Sequence, residues 1–384
     1  MAFFSTTKTI GILGGGQLGK MLLDVTSRWD LTTAVLDPSP DAPAKQKAHQ
    51  FVEGDLMDFD TVYAFGEAVD CLTFEIENVN VDALRALEKK GVRVFPQSHV
   101  LSTIQNKGTQ KQFYKQHQIP TAPFDTFSSL AELKNAIARG TVSFPFIWKA
   151  ATLGYDGYGV KVIRSNQAVE ELPEGACLAE EKIVIVQELS VIVCRNPSGA
   201  VAHYPPVEME FHPEANQVEY VLSPARIAKE TAQAAEALAL KVSKAFQHVG
   251  LLAVELFLTP EGELLVNEVA PRPHNSGHYS IEAAYTSQFE QHIRALLDLP
   301  LGATRNKAAA VMVNLVGKEG HEGNVIYKNM DQILAIEGVS PHLYGKKQTR
   351  PFRKMGHVTI VNESVEVARK MAEQVKETIE VIAK

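Results

Sequence analysis

Two apolar runs, Leu251 to Leu258 and Leu264 to Val269, are separated by Thr259-Pro260-Glu261-Gly262. That punctuation predicts an antiparallel hairpin. Each run carries an acid where a strand should be greasy, Glu255 in the first and Glu268 in the second. A reversal centred on Glu261 and Gly262 sets the two carboxylates opposite each other, with Asn267 beside them, at one end of one sheet face. Like charges so placed repel, and a cation between them reverses the sign. Mg²⁺ is commonly held by one or two carboxylates plus substrate phosphates, so the hairpin reads as half of a magnesium nucleotide site with Glu255 and Glu268 as ligands. The alternative is a solvent-facing strand edge carrying two unrelated acids. The Pro-stiffened segment that follows favours the metal, because Arg272, His274 and Asn275 bring a cation and donors beside it.

The rest of the chain must supply the other half. With 384 residues it exceeds one typical core and is expected to form two or three domains. A net charge of -7 argues against nonspecific nucleic-acid binding. Cys71, Cys177 and Cys194 have no paired spacing, so neither disulfides nor zinc are indicated and a reducing cytoplasm is expected. The N-terminus is too polar for a signal peptide, and no apolar run approaches the roughly 20 residues of a membrane span.

Thr9 to Leu13 reads as a strand ending in Gly14-Gly15-Gly16-Gln17-Leu18-Gly19, followed by a helix over Lys20 to Trp29 and a strand ending at Asp37. This satisfies the dinucleotide fingerprint, yet its physics is only the close approach of backbone to an anion. A nicotinamide cofactor, a substrate phosphate or ribose, and a purely structural turn all stay open, although the Pro-rich stretch after Asp37 weakens the dehydrogenase case. Further strands at Gln50 to Val52, Cys71 to Phe74 and Arg93 to Phe95 alternate with helices, predicting a doubly wound parallel sheet with ligands at the strand C-terminal ends. Glu75 and Glu77 sit at such an end, Glu77 being the easier to explain as a helix N-terminal charge.

Lys107 and Lys111 lie four apart on a polar helical stretch, ordinarily a solvated face. Ile119 to Pro123 reads as a linker. Phe144 to Lys149 is an apolar strand closing on a lysine, followed by the glycine-rich Leu153 to Gly159; backbone N–H groups there can fold over phosphates, but the Walker spacing is missing. Ile183 to Val186 reads as an ordinary strand bracketed by Glu180, Glu181, Lys182 and Glu188. A helix is expected from Pro224 to Val249 with Ser223 as its cap, and another from Ile281 to Leu297. Lys346, Lys347, Arg350, Arg353 and Lys354 concentrate positive charge in an acidic chain, either a solvated face or a phosphate clamp.

The lysine strand, GYDGYG, the two-glutamate hairpin and NEVAPRPHNSGH, in this order, together with GGGQLGKM, TFEIENV and RPFRKMGH, resemble the ATP-grasp superfamily over nearly the whole chain. Within it they resemble the N5-carboxyaminoimidazole ribonucleotide synthetases, ATP- and bicarbonate-using carboxylases of purine biosynthesis. The resemblance implies an α/β ATP-grasp fold with an N-terminal doubly wound parallel-sheet (pre-ATP-grasp) domain over 1–104 and an ATP-grasp domain over 105–300. A glycine-rich lid would lie near 120–190, and a small α+β domain over 301–384. It implies that ATP contacts Lys107, Lys111, Lys149, the loop Gly154, Tyr155, Asp156, Gly157, Tyr158, Gly159 and Val160, then Glu180, Glu181, Lys182, Ile183, Glu188, His212, Asn267 and Glu268. Substrate contacts would come from Gln17, Leu18, Glu75, Asn275, Lys346, Arg353 and Lys354. Arg272, His274, Asp156 and Tyr155 would carry the chemistry, with Arg272 and His274 receiving bicarbonate. Tyr158 stands where the family often has a basic residue. A homodimer, 5-aminoimidazole ribonucleotide as acceptor and Mg²⁺ as the metal are further expectations. The rivals are a formate-using glycinamide ribonucleotide transformylase of the same superfamily, a nicotinamide dehydrogenase, and a catalytically silent nucleotide-binding protein.

Overall fold

The computed structural model describes residues 4–152, 159–213, 215 and 217–384. The first unit is a five-stranded, all-parallel sheet in the order Gln50–Glu53, Thr32–Asp37, Thr9–Leu13, Cys71–Phe74, Arg93–Val94. Strand order reverses between Thr9–Leu13 and Cys71–Phe74, so the crevice at their C-terminal ends is where such a sheet receives a ligand. The glycine-rich turn leaves one of these strands and Glu75 leaves the other. Helix Gln17–Arg28 buries Leu18, Met21, Leu22 and Val25 on one side. These join Phe289, Ile293 and Leu296 of helix Gln288–Leu296 in one core, which fastens the N-terminal unit to the remainder. Burial of each such side chain contributes roughly 1.5–3 kcal/mol.

A four-stranded antiparallel sheet follows, in the order Phe124–Phe127, Cys177–Glu181, Phe146–Ala150, Val160–Ile163. The main sheet has nine strands, and Gln187–Arg195 pairs with the predicted hairpin along Gly250–Leu258. C-terminal strands Ala309–Val316 and Lys354–Asn362 extend this same sheet, Tyr220 pairing with Val313 and Asn314 with His357. Helix Val365–Thr378, capped by Ser364, covers them. Among the described residues, no helix is long and apolar enough to cross a membrane.

Three local expectations fail, each through a long-range partner. Ser223 ends a strand and its hydroxyl accepts from Asn306 Nδ2 at 2.9 Å, so it does not cap a helix; the helix is Lys229–Phe246. The stretch expected as one helix over 281–297 is split, because Ala284 bridges Asn306 and the N–H groups of Tyr285 and Thr286 donate to Arg305 and Ala303. Ser287 then caps a fresh helix. Ile183 to Val186 is not a strand but the crossing between the two sheets, with Val184 67% exposed.

Candidate active site

The hairpin register shifts by one residue at the acids. Val254 pairs with Val269 and Leu256 with Val266, so Asn267 and Glu268 together stand opposite Glu255. In a flat pleat adjacent residues face opposite sides; the bulge re-aims one of them. Asn267 accordingly contacts Glu255 at 3.5 Å and Lys149 at 3.1 Å, while Glu268 meets Lys107 at 2.5 Å. The charge of Lys107 holds the Glu268 carboxyl down at about 2. Burial pulls Lys107 down, but Glu268 more than offsets it and leaves the ammonium raised. Two carboxylates and an amide oxygen are hard donors suited to Mg²⁺. Among the described residues no third His, Cys, Asp or Glu completes a protein cage, so phosphates and water would supply the remaining ligands. In this conformation a lysine ammonium supplies the positive charge.

Behind this face lies an ion triad. Glu180 is 3% exposed, 3.1 Å from Lys111 Nζ and 2.9 Å from Lys149 Nζ. Burial pushes its carboxyl up, yet the two lysines more than offset this and hold it below the ordinary range. Lys111 is pulled down to about 8, chiefly by burial. The i,i+4 pair of lysines is therefore no solvated face. Any nucleotide contact from residue 180 falls to its backbone, since both carboxylate oxygens are engaged. Glu181 and Lys182 are exposed and Ile183 is half-buried on the crossing. Glu188 is the second residue of the next strand, Gln187–Arg195; burial, then the charge of Glu255, raises its carboxyl to about 7. Gly159 leads into Val160, which opens the strand returning along Lys149, whereas Gly154, Tyr155, Asp156, Gly157 and Tyr158 lie outside the described residues. His212 follows the strand Val207–Phe211, with its ring against Phe352 of the basic loop, centroids 5.7 Å apart.

At the crevice of the parallel sheet, Glu75 accepts from the N–H groups of Gly16, Leu18 and Gly19 at 2.9 to 3.1 Å, and Asp37 accepts from Gly15 at 2.7 Å. The anion seat of the fingerprint is thus occupied by the protein's own acids, which engage the Gly15, Gly16, Leu18 and Gly19 amides that a cofactor pyrophosphate would use. Burial raises Glu75 to about 7 against the pull of the Gly16 and Gly19 amides. Leu18 turns its side chain into the core and its N–H to Glu75; Gln17 is half-buried on the first helical turn. The basic loop docks across this crevice: Lys20 Nζ donates to Leu343 O at 2.9 Å, and Lys347 pairs with Asp41. Within the loop Lys346 donates to Lys354 O and Arg353 to Gln348 O.

Between crevice and hairpin runs the segment 270–278. Gln288 brackets His274, accepting from its N–H at 2.8 Å and donating to its carbonyl at 2.7 Å. The Ser276 N–H donates to His274 Nδ1 at 3.3 Å, Ser276 Oγ lies 2.8 Å from the same nitrogen, and Nε2 is 3.2 Å from Glu255 Oε1. Asn275 forms a reciprocal amide pair with Asn314, both contacts 2.9 Å. Arg272 Nε lies 2.8 Å from Glu77 Oε1.

This arrangement of parallel-sheet crevice, lysine strand and glutamate hairpin recurs in known proteins. Residues 7–105 match the ribonucleotide synthetase preATP-grasp domain, 112–289 the ATP-grasp domain and 310–371 the phosphoribosylaminoimidazole carboxylase C-terminal domain. The N5-carboxyaminoimidazole ribonucleotide synthetase structure from Thermotoga maritima is 40% identical, with TM-score 0.89 over 98% of this chain and 100% of that one. The chain belongs to the N5-carboxyaminoimidazole ribonucleotide synthetase family. The Bacillus subtilis N5-carboxyaminoimidazole ribonucleotide synthase is 39% identical, matching 92% of this chain and 91% of its own length. An Aspergillus clavatus N5-carboxyaminoimidazole synthase in complex with ADP and 5-aminoimidazole ribonucleotide is 30% identical, with TM-score 0.88 over 97% of this chain and 98% of that one. Yeast relatives named phosphoribosylaminoimidazole carboxylase are longer, and the chain spans 64% to 67% of their length. Membership removes the dehydrogenase alternative, in agreement with the occupied glycine turn.

Motif reading passed over several residues that shape this synthetase site. Asp37 appeared only as a fingerprint acid, Glu77 only as a helix-end charge, and Gln288 and Asn314 carried no signal. Their roles arise from contacts at separations of 14 to 195 residues along the chain, as in the Gln288–His274 and Glu77–Arg272 pairs.

Proposed function

We infer that the chain carboxylates 5-aminoimidazole ribonucleotide with ATP and bicarbonate, yielding N5-carboxyaminoimidazole ribonucleotide, ADP and phosphate. One observation carries this reading: segment 267–278 runs from a carboxylate and lysine face suited to MgATP, past a guanidinium and an imidazole, to a crevice edged by Glu75 and the basic loop. Three groups to be joined in sequence need three adjacent seats, and holding them supplies most of the catalysis. The named ligands of the Aspergillus clavatus relative support the same pairing.

In this reading Lys107 and Lys149 take the ATP phosphates, and Glu181 to Ile183 with Glu188 take adenine and ribose. Glu255, Glu268 and Asn267 would hold Mg²⁺, which when bound neutralises phosphate charge. A bicarbonate oxygen bonds to the γ-phosphorus as the bond from that phosphorus to ADP breaks. Arg272 holds the carboxylate oxygens and His274 donates through Nε2. The exocyclic amine then bonds to the carbon of carboxyphosphate, the carbon–oxygen bond to phosphate breaks and the nitrogen passes its proton to Asp156. Arg353, with Lys346 and Lys354, balances the ribonucleotide phosphate. A homodimer working in the cytoplasm is the setting this family reading carries.

The test is phosphate release from MgATP in bicarbonate buffer, with and without the ribonucleotide, followed by incorporation of labelled bicarbonate. Release that depends on the ribonucleotide is expected. Release indifferent to it, or dependent on formate in place of bicarbonate, overturns the acceptor or the donor respectively.

A further inference from the structure

Arg272 belongs to the ATP-grasp unit, yet its Nε edge faces a carboxylate from the N-terminal unit: Glu77 Oε1, 2.8 Å away. On the other side Arg272 Nη1 donates to the Pro273 carbonyl at 3.1 Å. The Pro273 bond fixes one edge of the guanidinium, and the Glu77 charge, an ion pair without an in-line hydrogen bond from Nε, draws the other; a flat fork recognises a carboxylate only in its own plane. Glu77 is itself held. Its carbonyl accepts from the Val79 N–H at 3.0 Å and from Gln105 Nε2 at 2.7 Å, and the same Gln105 nitrogen reaches Val79 O at 2.8 Å. Gln105 is the C-cap of helix Ser98–Ile104, at the passage from one unit to the next. Both partners are largely buried, Arg272 at 21% and Glu77 at 28% side-chain exposure, so water screens the pair only in part. Two residues before Glu77 lies Glu75, the acid seated on the glycine turn.

We propose that Glu77 is a positioning residue for bicarbonate: it orients the Arg272 guanidinium from across the domain boundary, and it ties that orientation to the strand end that carries the ribonucleotide crevice. The inference rests on the carboxylase reading and deepens it. A helix-end charge would have no reason to meet Arg272, and the helix that starts after it is already capped by Asn80, which accepts from Ala83.

Glu77→Gln keeps the shape and removes the charge. In steady-state assays of the full chain, its bicarbonate KM rises about tenfold or more, the scale of one charge-assisted contact. The KM values for ATP and the ribonucleotide stay within about twofold. Glu77→Asp, which retains the charge, recovers part of the loss and serves as the second variant if the first folds poorly. The decisive arm is the pair with Arg272→Lys. Once the planar fork is gone, Glu77→Gln has nothing to orient, so it adds little to the single Arg272→Lys defect. Equal rises in all three KM values, or full multiplication of the two defects, overturns the positioning role. The wild-type protein decides the underlying reading separately: bicarbonate-dependent turnover there, with an unchanged bicarbonate KM in Glu77→Gln, rejects this inference alone.

Discussion

Replacing Glu180 by Gln separates two roles that its position in the chain allows. As a nucleotide contact it would alter ATP binding and little else. As the shared counter-ion of Lys111 and Lys149, at 3.1 and 2.9 Å and 3% exposure, it holds two buried ammonium groups in place. Each pair is worth about 5 kcal/mol by Coulomb's law at 3 Å and an effective dielectric near 20, most of it offset by the desolvation of the ions. Removing one partner of a buried pair leaves that desolvation uncompensated and costs about 3–5 kcal/mol. The glutamine oxygen still accepts a hydrogen bond, which sets the expectation at the low end, about 3 kcal/mol at pH 7. The deficit also carries a pH signature. Lys111 is already held down at about 8 against an ordinary 10.5, and losing Glu180 lowers it further. The unfolded chain then binds the proton more readily than the folded one, so variant stability rises with pH from that depressed value toward 10.5. Urea titrations of both proteins between pH 6 and 10 should show the gap narrowing as pH rises to about 8, where wild-type Lys111 also loses its proton, and staying level above it. ATP KM should rise as well, because Lys149 loses its anchor. A variant within about 0.5 kcal/mol of wild type at pH 7, with only ATP KM altered, would refute the counter-ion argument.

Glu268→Gln should abolish nearly all turnover, and it should also blunt acid sensitivity. The native carboxyl is held at about 2, so its stabilisation is present above the ordinary glutamate range and is lost as pH falls through it toward 2; at 42% side-chain exposure the effect is small. Acid titration followed by circular dichroism reads this, and an unchanged profile would count against the Lys107 pairing. Gly14→Ala places a Cβ 2.7 Å from Glu75 Cγ at φ +96°, so a loss of about 1–3 kcal/mol is expected, with a raised ribonucleotide KM. Thermal melts and kinetics check both parts. Arg353→Ala should raise the ribonucleotide KM more than the ATP KM; equal effects would argue against the phosphate role of the basic loop.

Much of the scaffold follows from local rules. Period-two runs, the Thr259 to Gly262 turn and the Asp58, Asn80 and Ser364 caps act within a few residues, where propensity and hydrogen-bond geometry suffice. The parallel N-terminal sheet, the hairpin and its pair of acids were legible for that reason. Tertiary structure alone decided how each charge is used. The glycine turn reads as an anion seat until Glu75, 59 residues away from Gly16, fills it. Lys107 and Lys111 read as a solvated face until Glu268 and Glu180 face them. The one-residue bulge that sets Asn267 and Glu268 together against Glu255 left no trace in the apolar pattern. Apolar periodicity records which side of an element is buried, whereas an ion pair acts through space and depends on where distant segments meet. That is why the family motifs could mark the site while the partner of each charge in it waited for the fold.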